Sequence, residues 1–372
     1  MRMKLRRRNN AVFGASWRLV RSFPRPDGRR VAHDNGAVDR RIPAYMGRCS
    51  PTDRIPPPMS SLLTLIAGLI FLMIAADILV RGSVSLAERF RIPPLVVGLT
   101  IIALGTSAPE LVVSLKAGFA GSGGIAIGNV VGSNIANILL CLGLPSLIFA
   151  TAVNATGLKR NFSVMVAATV LLIASCWDGT LSRLDGGILL LCFIAFFVAQ
   201  ILVTRDSRRQ QEEIEELRTN LSPVLAALMA IGGLVVLPFA ADFVVEGAIG
   251  LAEMLGLSET VIGVTVVAVG TSLPELAAGV MSAWRGHSDM TLGNAIGSNI
   301  FNILFILGVT ASAVPLVVPP DFLHYEFWAM VAAALVLVPF LGMRWPIGRL
   351  GGFILVLFYG GLIWGAVALP GA

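Results

Sequence analysis

Gly105-Thr-Ser-Ala-Pro-Glu110 lies in the middle of an otherwise apolar run from Pro93 to Phe119. The run is long enough to cross a bilayer as a helix, which takes about 20 apolar residues for a ~30 Å hydrocarbon core. Turn residues and an acid are out of place there. Pro109 has no N–H and its ring displaces the carbonyl four residues back, that of Gly105, so the helix must kink or break. Backbone freed in this way cannot face acyl chains and must line protein or a water-filled cavity. A carboxylate inside the hydrocarbon layer is costly, and Glu110 therefore reads as part of a functional site facing the bundle interior. One kink with one Glu is equally compatible with a structural role. A second copy is not: Gly270-Thr-Ser-Leu-Pro-Glu275 repeats the motif 165 residues later, in an equivalent apolar run from Val261 to Trp284.

The composition agrees with this reading. The 372 residues are 56% hydrophobic and 13% charged with 39 Gly, which excludes a soluble core and indicates a polytopic membrane protein. Cys141, Cys176 and Cys192 lie in apolar runs and Cys49 in a polar tail, with no paired spacing, so free thiols are expected rather than disulfides or a thiolate metal site. His33, His287 and His324 share no spacing either, which argues against a His-built centre.

Residues 1–58 are rich in Arg, Pro and Asn, carry 14 Lys+Arg against 4 Asp, and read as a disordered basic tail. No apolar segment with a small-residue cleavage site follows the basic start, so the tail is not a signal peptide. Met59 opens the first apolar run directly. Either translation starts at Met59, or the tail is a genuine basic segment that touches anionic lipid. Ten apolar runs follow, at about 59–80, 93–119, 123–149, 162–176, 184–204, 222–245, 259–284, 289–315, 325–342 and 348–369. The polar stretch 205–221 divides them into a first five-helix repeat, 59–204, and a second, 222–372.

The two halves are related by a constant offset. Between Ala76 and Gly143, 29 of 68 positions are identical to the residue 165 further on. Because each half has five spans, the second copy enters the membrane from the opposite side; such inverted repeats place the site at the midplane between broken helices. Orientation follows from the basic residues outside the tail, of which twelve fall on the side of the 205–221 linker and two, Lys116 and Arg183, on the other. The linker is thus expected in the cytoplasm and the termini outside, in a multi-pass protein of the cell inner membrane.

Each half also carries a second polar stretch, Gly128-Asn-Val-Val-Gly-Ser-Asn-Ile-Ala-Asn137 and Gly293-Asn-Ala-Ile-Gly-Ser-Asn-Ile-Phe-Asn302. Ser133 and Asn137, like Ser298 and Asn302, are four apart and share a helical face. The glycines at 128, 132, 293 and 297 are expected to pack helices closely, while the Ser and Asn side chains supply oxygens beside the two acids. Carboxylates, hydroxyls, amides and freed carbonyls, with no soft ligand, suit hard cations such as Ca²⁺ or Na⁺. The formal charge of −2 on Glu110 and Glu275 balances one Ca²⁺, or most of the charge of a few Na⁺.

At these residues the chain resembles the calcium/cation antiporter superfamily, in particular its bacterial sodium/calcium exchanger branch, over about residues 59–372. The resemblance implies an all-α membrane protein of ten helices in two inverted five-helix repeats, with helices 2, 3, 7 and 8 broken. It implies Glu110 and Glu275 as central ligands, joined by Thr106, Ser107, Thr271 and Ser272, the hydroxyls of Ser133 and Ser298, and the carbonyls of Ala103 and Ala268, with Asn137 beside them. Some relatives carry Asp where this chain has Asn302; the acid count here is two, and the number of Na⁺ ions and any part for H⁺ or K⁺ stay open. The expected activity is exchange of Ca²⁺ for Na⁺ by alternating access, with Ca²⁺/H⁺ exchange and a passive cation channel as alternatives. An intramembrane hydrolase using Ser107 or Ser272 is disfavoured, because no His or Lys stands in either motif to activate a serine. The expected partners are the lipid bilayer and the transported Ca²⁺ and Na⁺, with no cofactor and no nucleic acid; no oligomeric state follows.

Overall fold

The computed structural model describes residues 58–90, 92–211, 221–255 and 268–368. The basic tail up to residue 57, most of the linker and the lead-in to the second Pro-Glu motif lie outside the described residues. Each of the ten apolar runs coincides with helical elements among the described residues, the seventh only from Ala268 onward.

The first run forms α1 (Pro58–Phe90), a single 33-residue helix that continues well past the apolar run expected to end at residue 80. At 1.5 Å per residue it is about 50 Å long, so it tilts or projects beyond the hydrocarbon layer, and its polar end from Arg81 to Arg89 supplies the projecting part. The second run is built from α2 (Pro94–Val97), a π-helical segment Gly98–Ile102, α3 (Ala103–Thr106) and α4 (Ala108–Phe119). It bends by 46° between Thr106 and Ala108. Ser107, at φ −85° and ψ 8°, is the pivot, and Pro109 sits in the first turn of α4, where a missing N–H leaves no helical bond unmade.

The first half continues with α5 (Gly123–Leu139), α6 (Gly143–Ile148), α7 (Leu158–Ser175) and α8 (Arg183–Gln211). The second half comprises α9 (Pro223–Met254), α10 (Ala268–Gly270), α11 (Leu273–Trp284), α12 (Ser288–Ile300), α13 (Gly308–Ala313), α14 (Phe327–Leu335), α15 (Val338–Met343) and α16 (Arg349–Ala368). Among the described residues seven helical stretches are long and apolar enough to cross a membrane, or eight with the bent pair, and Arg349–Gly365 is a shorter apolar helix. Their burial sorts them. The spans Gly123–Ile148 and Ser288–Ala313, which carry the Gly-Ser-Asn stretches, are 78% and 83% buried, so they occupy the centre. The α1 span is 33% buried and turns Leu63, Ile66, Ile70, Phe71 and Ile74 outward, as a lipid-facing helix does.

The two-fold relation is visible in the packing of α1 against α9. A Cβ on Gly68 would lie 2.7 Å from the Val244 nitrogen, and one on Gly233 would lie 2.7 Å from the Leu79 nitrogen. Adding 165 to one contact gives the other with the partners exchanged. Gly82 against Ala230 (2.5 Å) and Gly247 against Leu65 (2.4 Å) form a second such pair. Contacts that run in opposite order along the two helices, and exchange partners, are those of an antiparallel pair on a two-fold axis. The loops follow the same pattern with a slip of one residue, since Leu316 stands 165 after Thr151 and Ile347 stands 166 after Leu181. Strand β1 (Thr180–Leu181) pairs antiparallel with β2 (Leu316–Val317), bringing Leu181 opposite Leu316, and an isolated antiparallel bridge joins Thr151 to Ile347.

Candidate functional site

The N-terminal turns of α4 and α11 meet at the centre of the bundle. The Ser107 hydroxyl donates to Glu275 Oε1 at 2.8 Å, so the motif of one half touches the acid of the other. Glu110 and Glu275 are both 0% exposed. Among the described residues the ion pairs are those of Asp77 with Arg81 and Arg285; neither buried glutamate has a basic partner.

The backbone of each acid is held by an asparagine of the Gly-Ser-Asn stretches, which acts here through its nitrogen rather than through the oxygen expected of it. Asn129 Nδ2 donates to the Glu110 carbonyl at 3.2 Å, and Asn294 Nδ2 donates to the Glu275 carbonyl at 3.2 Å. Asn129 also donates to Ser114 Oγ at 3.0 Å, which fixes the amide in turn. These bonds tie α4 to α5 and α11 to α12, and they aim each carboxylate by pinning its own peptide unit.

What the carboxylates themselves lack is the informative part. Both oxygens of Glu110, Oε2 of Glu275, the hydroxyls of Ser133, Ser272 and Ser298, both amide atoms of Asn137 and Oδ1 of Asn302 are buried without a hydrogen-bond partner among the described residues. Buried polar groups are nearly always paired, and each orphan costs about 1–3 kcal/mol. A cluster of orphaned oxygens around two acids calls for a cation, protons or water to satisfy them together. Hydroxyls, carboxylates and amide oxygens are hard ligands, so the donor set fits a hard cation as substrate.

The remaining expected positions divide. Thr106 is buried and donates its hydroxyl hydrogen to the Ile102 carbonyl at 3.0 Å, leaving its lone pairs free; Thr271 is half-buried. The Ala103 carbonyl accepts the Ser107 N–H at 3.1 Å, whereas the corresponding Ser272 N–H goes to Val269 at 3.1 Å, so Ala103 and Ala268 are not bonded alike. The Ala136 carbonyl takes the N–H groups of both Leu140 (2.7 Å) and Cys141 (2.9 Å), a widened turn beside Asn137, and Asn302 lies in the π-helical segment Phe301–Leu307. Such widened turns recur at functional sites.

The glycines behave less uniformly than expected. Gly293 and Gly297 do abut backbone: a Cβ added at 293 would lie 2.4 Å from the Leu95 carbonyl oxygen, and one at 297 would lie 2.6 Å from the Leu99 Cα. A Cβ added at Gly128 would meet only the Phe322 ring, at 3.3 Å, and one at Gly132 would meet nothing within 4 Å among the described residues. Residues 260 and 264, which correspond to Leu95 and Leu99 at the 165-residue offset, lie outside the described residues.

With this geometry in place, comparison with known proteins is specific. The sodium/calcium exchanger protein family matches residues 60–202 and again 225–368. The chain belongs to the sodium/calcium exchanger family. The sodium/calcium exchanger MaX1 of Methanosarcina acetivorans is 33% identical over 336 residues, covering 80% of this chain and 95% of that protein. The inner membrane protein YrbG of Escherichia coli is 35% identical over 305 residues, covering 80% and 93%. Among solved structures, that of the sodium-calcium exchanger NCX_Mj soaked with Na⁺ and Sr²⁺ superposes with a TM-score of 0.70 at 33% identity, covering 84% of this chain and all of that one. This exchanger is therefore a multi-pass helical membrane transporter and not an enzyme. The family match is itself double, and its two segments fall on the two halves.

Proposed function

We propose that the chain exchanges Ca²⁺ for Na⁺ by alternating access around one midplane site built from both halves. The observation that carries this reading is the cross-repeat bond from Ser107 to Glu275 amid orphaned buried oxygens. Glu110 and Glu275 supply the charge. Ser107, Ser272, Thr106, Thr271, Ser133 and Ser298 supply hydroxyl oxygens, Asn137 and Asn302 amide oxygens, and Ala103 and Ala268 carbonyls. A charge of −2 balances one Ca²⁺, or most of the charge of a few Na⁺, and is not compatible with both loads at once. Mutual exclusion at a shared site is what couples the two fluxes. The basic residues favour an inner-membrane orientation with the 205–221 linker in the cytoplasm and the termini outside.

The test is Ca²⁺ uptake into vesicles containing the purified protein, with outward Na⁺, K⁺ and H⁺ gradients imposed one at a time. Uptake driven by Na⁺ alone is expected. Uptake that follows H⁺ without Na⁺ would point to Ca²⁺/H⁺ exchange, and flux coupled to no counter-ion would point to a channel.

Two variants refine the site. S107A removes the hydroxyl that bridges the halves, and S272A removes one with no hydrogen-bond partner among the described residues. A bond to a charged group is worth about 1.5–3 kcal/mol, so S107A is expected to raise the Ca²⁺ concentration for half-maximal uptake by roughly tenfold or more, and S272A by less. Equal effects would show that the bridge carries nothing.

Asn302→Asp is expected to change ion dependence more than folding. Asn302 Nδ2 donates to Asn134 Oδ1 at 3.0 Å, a bond that an ionised Asp cannot make. The near-isosteric variant should insert normally and show altered Na⁺ or pH dependence of uptake; an unchanged profile would place Asn302 outside the site.

A further inference from the structure

Between the two Gly-Ser-Asn stretches lies an asparagine pair to which the exchange reading assigns no role. Asn299 Nδ2 donates to the Asn134 carbonyl at 3.1 Å, and Asn134 Nδ2 donates to the Asn299 carbonyl at 3.4 Å. Each amide nitrogen also touches a methionine sulfur, Asn134 that of Met330 at 3.7 Å and Asn299 that of Met165 at 3.6 Å. All four residues are buried, and the pattern is carried onto itself by the 165-residue offset.

Around this asparagine pair the symmetry fails at one bond. Asn134 Oδ1 accepts from Asn302 Nδ2 at 3.0 Å. The corresponding bond would run from Asn137 Nδ2 to Asn299 Oδ1, and both of those atoms are without a partner among the described residues. The same side-chain types therefore stand in two different states.

We propose that Asn134 is a positioning residue that commits Asn302 to present oxygen to the cation, and that Asn299 is not its functional equivalent. This rests on the exchange reading above. The chain of cause begins in the backbone. The Asn299 carbonyl accepts only hydrogen bonds, so it fixes which end of the Asn134 amide is nitrogen. With its nitrogen so engaged, Asn134 turns Oδ1 towards Asn302. An oxygen there can be met only by a donor, so Asn302 turns Nδ2 towards it and leaves Oδ1 unpaired. A primary amide that is free to turn over offers a cation its repulsive N–H₂ end as readily as its oxygen, and one whose nitrogen is tied offers oxygen only. Asn302 is tied in this way and Asn137 is not.

The two asparagines form a matched experiment, because they share the reciprocal backbone bonds and the sulfur contacts but only Asn134 holds a site amide. N134A and N299A are expected to lower the thermal stability of the purified protein by similar amounts. Only N134A should raise the Ca²⁺ concentration for half-maximal uptake, on the order of tenfold, with the maximal rate largely kept. In an N302A background N134A should add nothing further, since the residue through which it acts is already gone. Should N134A fail to insert, N134S and N299S carry the same comparison, because a serine hydroxyl is too short to reach Asn302. An equal shift in the two single variants, no shift in either, or a full additional shift on N302A would overturn the proposal. Ca²⁺ uptake by the wild type that ignores Na⁺ would instead overturn the exchange reading, and the comparison of half-saturation would still stand on its own.

Discussion

Glu110→Gln and Glu275→Gln are each expected to abolish Ca²⁺ transport in a protein that still inserts and remains folded. Glutamine keeps the size and one carbonyl oxygen but removes a charge. At an effective dielectric of ~20, a unit charge about 2.5 Å from a divalent ion is worth on the order of 10 kcal/mol before desolvation. Much of this is offset by the burial cost of the carboxylate itself, but about 1.4 kcal/mol is already tenfold in affinity. Folding is spared for a related reason. Neither acid has a counter-ion among the described residues, so neutralising one leaves no stranded Arg or Lys and removes a buried charge. The Asn129 and Asn294 bonds go to the glutamate carbonyls and survive the substitution. Vesicle uptake together with the elution profile of the solubilised protein checks both halves of the expectation. Full exchange by one variant with loss in the other would mean that the two halves do not share a site.

Gly297→Val is expected to destroy transport by a different route, through the packing that brings the broken helix to the centre. A Cβ at 297 would lie 2.6 Å from the Leu99 Cα, and one at 293 would lie 2.4 Å from the Leu95 carbonyl. These neighbours are backbone, which cannot rotate away as a side-chain tip can. Overpacking of this kind costs about 3 kcal/mol, the upper part of the usual range, and alanine already incurs part of it. The displaced element is the stretch Leu95–Thr106, which leads directly into Ser107 and Glu110, so the cation ligands move with it. Thermal denaturation of the solubilised variant and Ca²⁺ uptake should both fall for G297V, with G297A intermediate. Gly361, exposed on α16, is the control: an added Cβ there would meet nothing within 4 Å among the described residues, and G361A should match the wild type. A G297V protein of normal stability and rate would show that the helices are not held in contact there.

The sequence made the frame of this site legible because its signals are local and repeated. Proline and an acid inside an apolar run are anomalies wherever they stand, and the constant offset of 165 turned two anomalies into one arrangement. The full extent of α1 was hidden because two arginines, two serines and a glutamate interrupt its last ten residues, and hydropathy reports the membrane rather than the helix. The clamps from Asn129 and Asn294 were hidden for another reason. An asparagine in a buried helix can bond to any neighbour within reach, and only the packing of α4 on α5 and of α11 on α12 chooses the glutamate carbonyl. Least legible was the difference between Asn137 and Asn302. Two identical residues at equivalent places in a repeat carry no sign of inequality, so that difference belongs to the folded conformation alone.

The account rests most heavily on the two halves making one site that holds Ca²⁺ or Na⁺ but not both. Equilibrium binding of radiolabelled Ca²⁺ to the purified protein, measured with and without Na⁺ in the wild type and in E110Q and E275Q, addresses this directly. The account predicts one Ca²⁺ per chain, complete displacement by Na⁺, and loss of binding in either variant. Two Ca²⁺ per chain, Ca²⁺ retained in saturating Na⁺, or half of the binding surviving in each variant would contradict it.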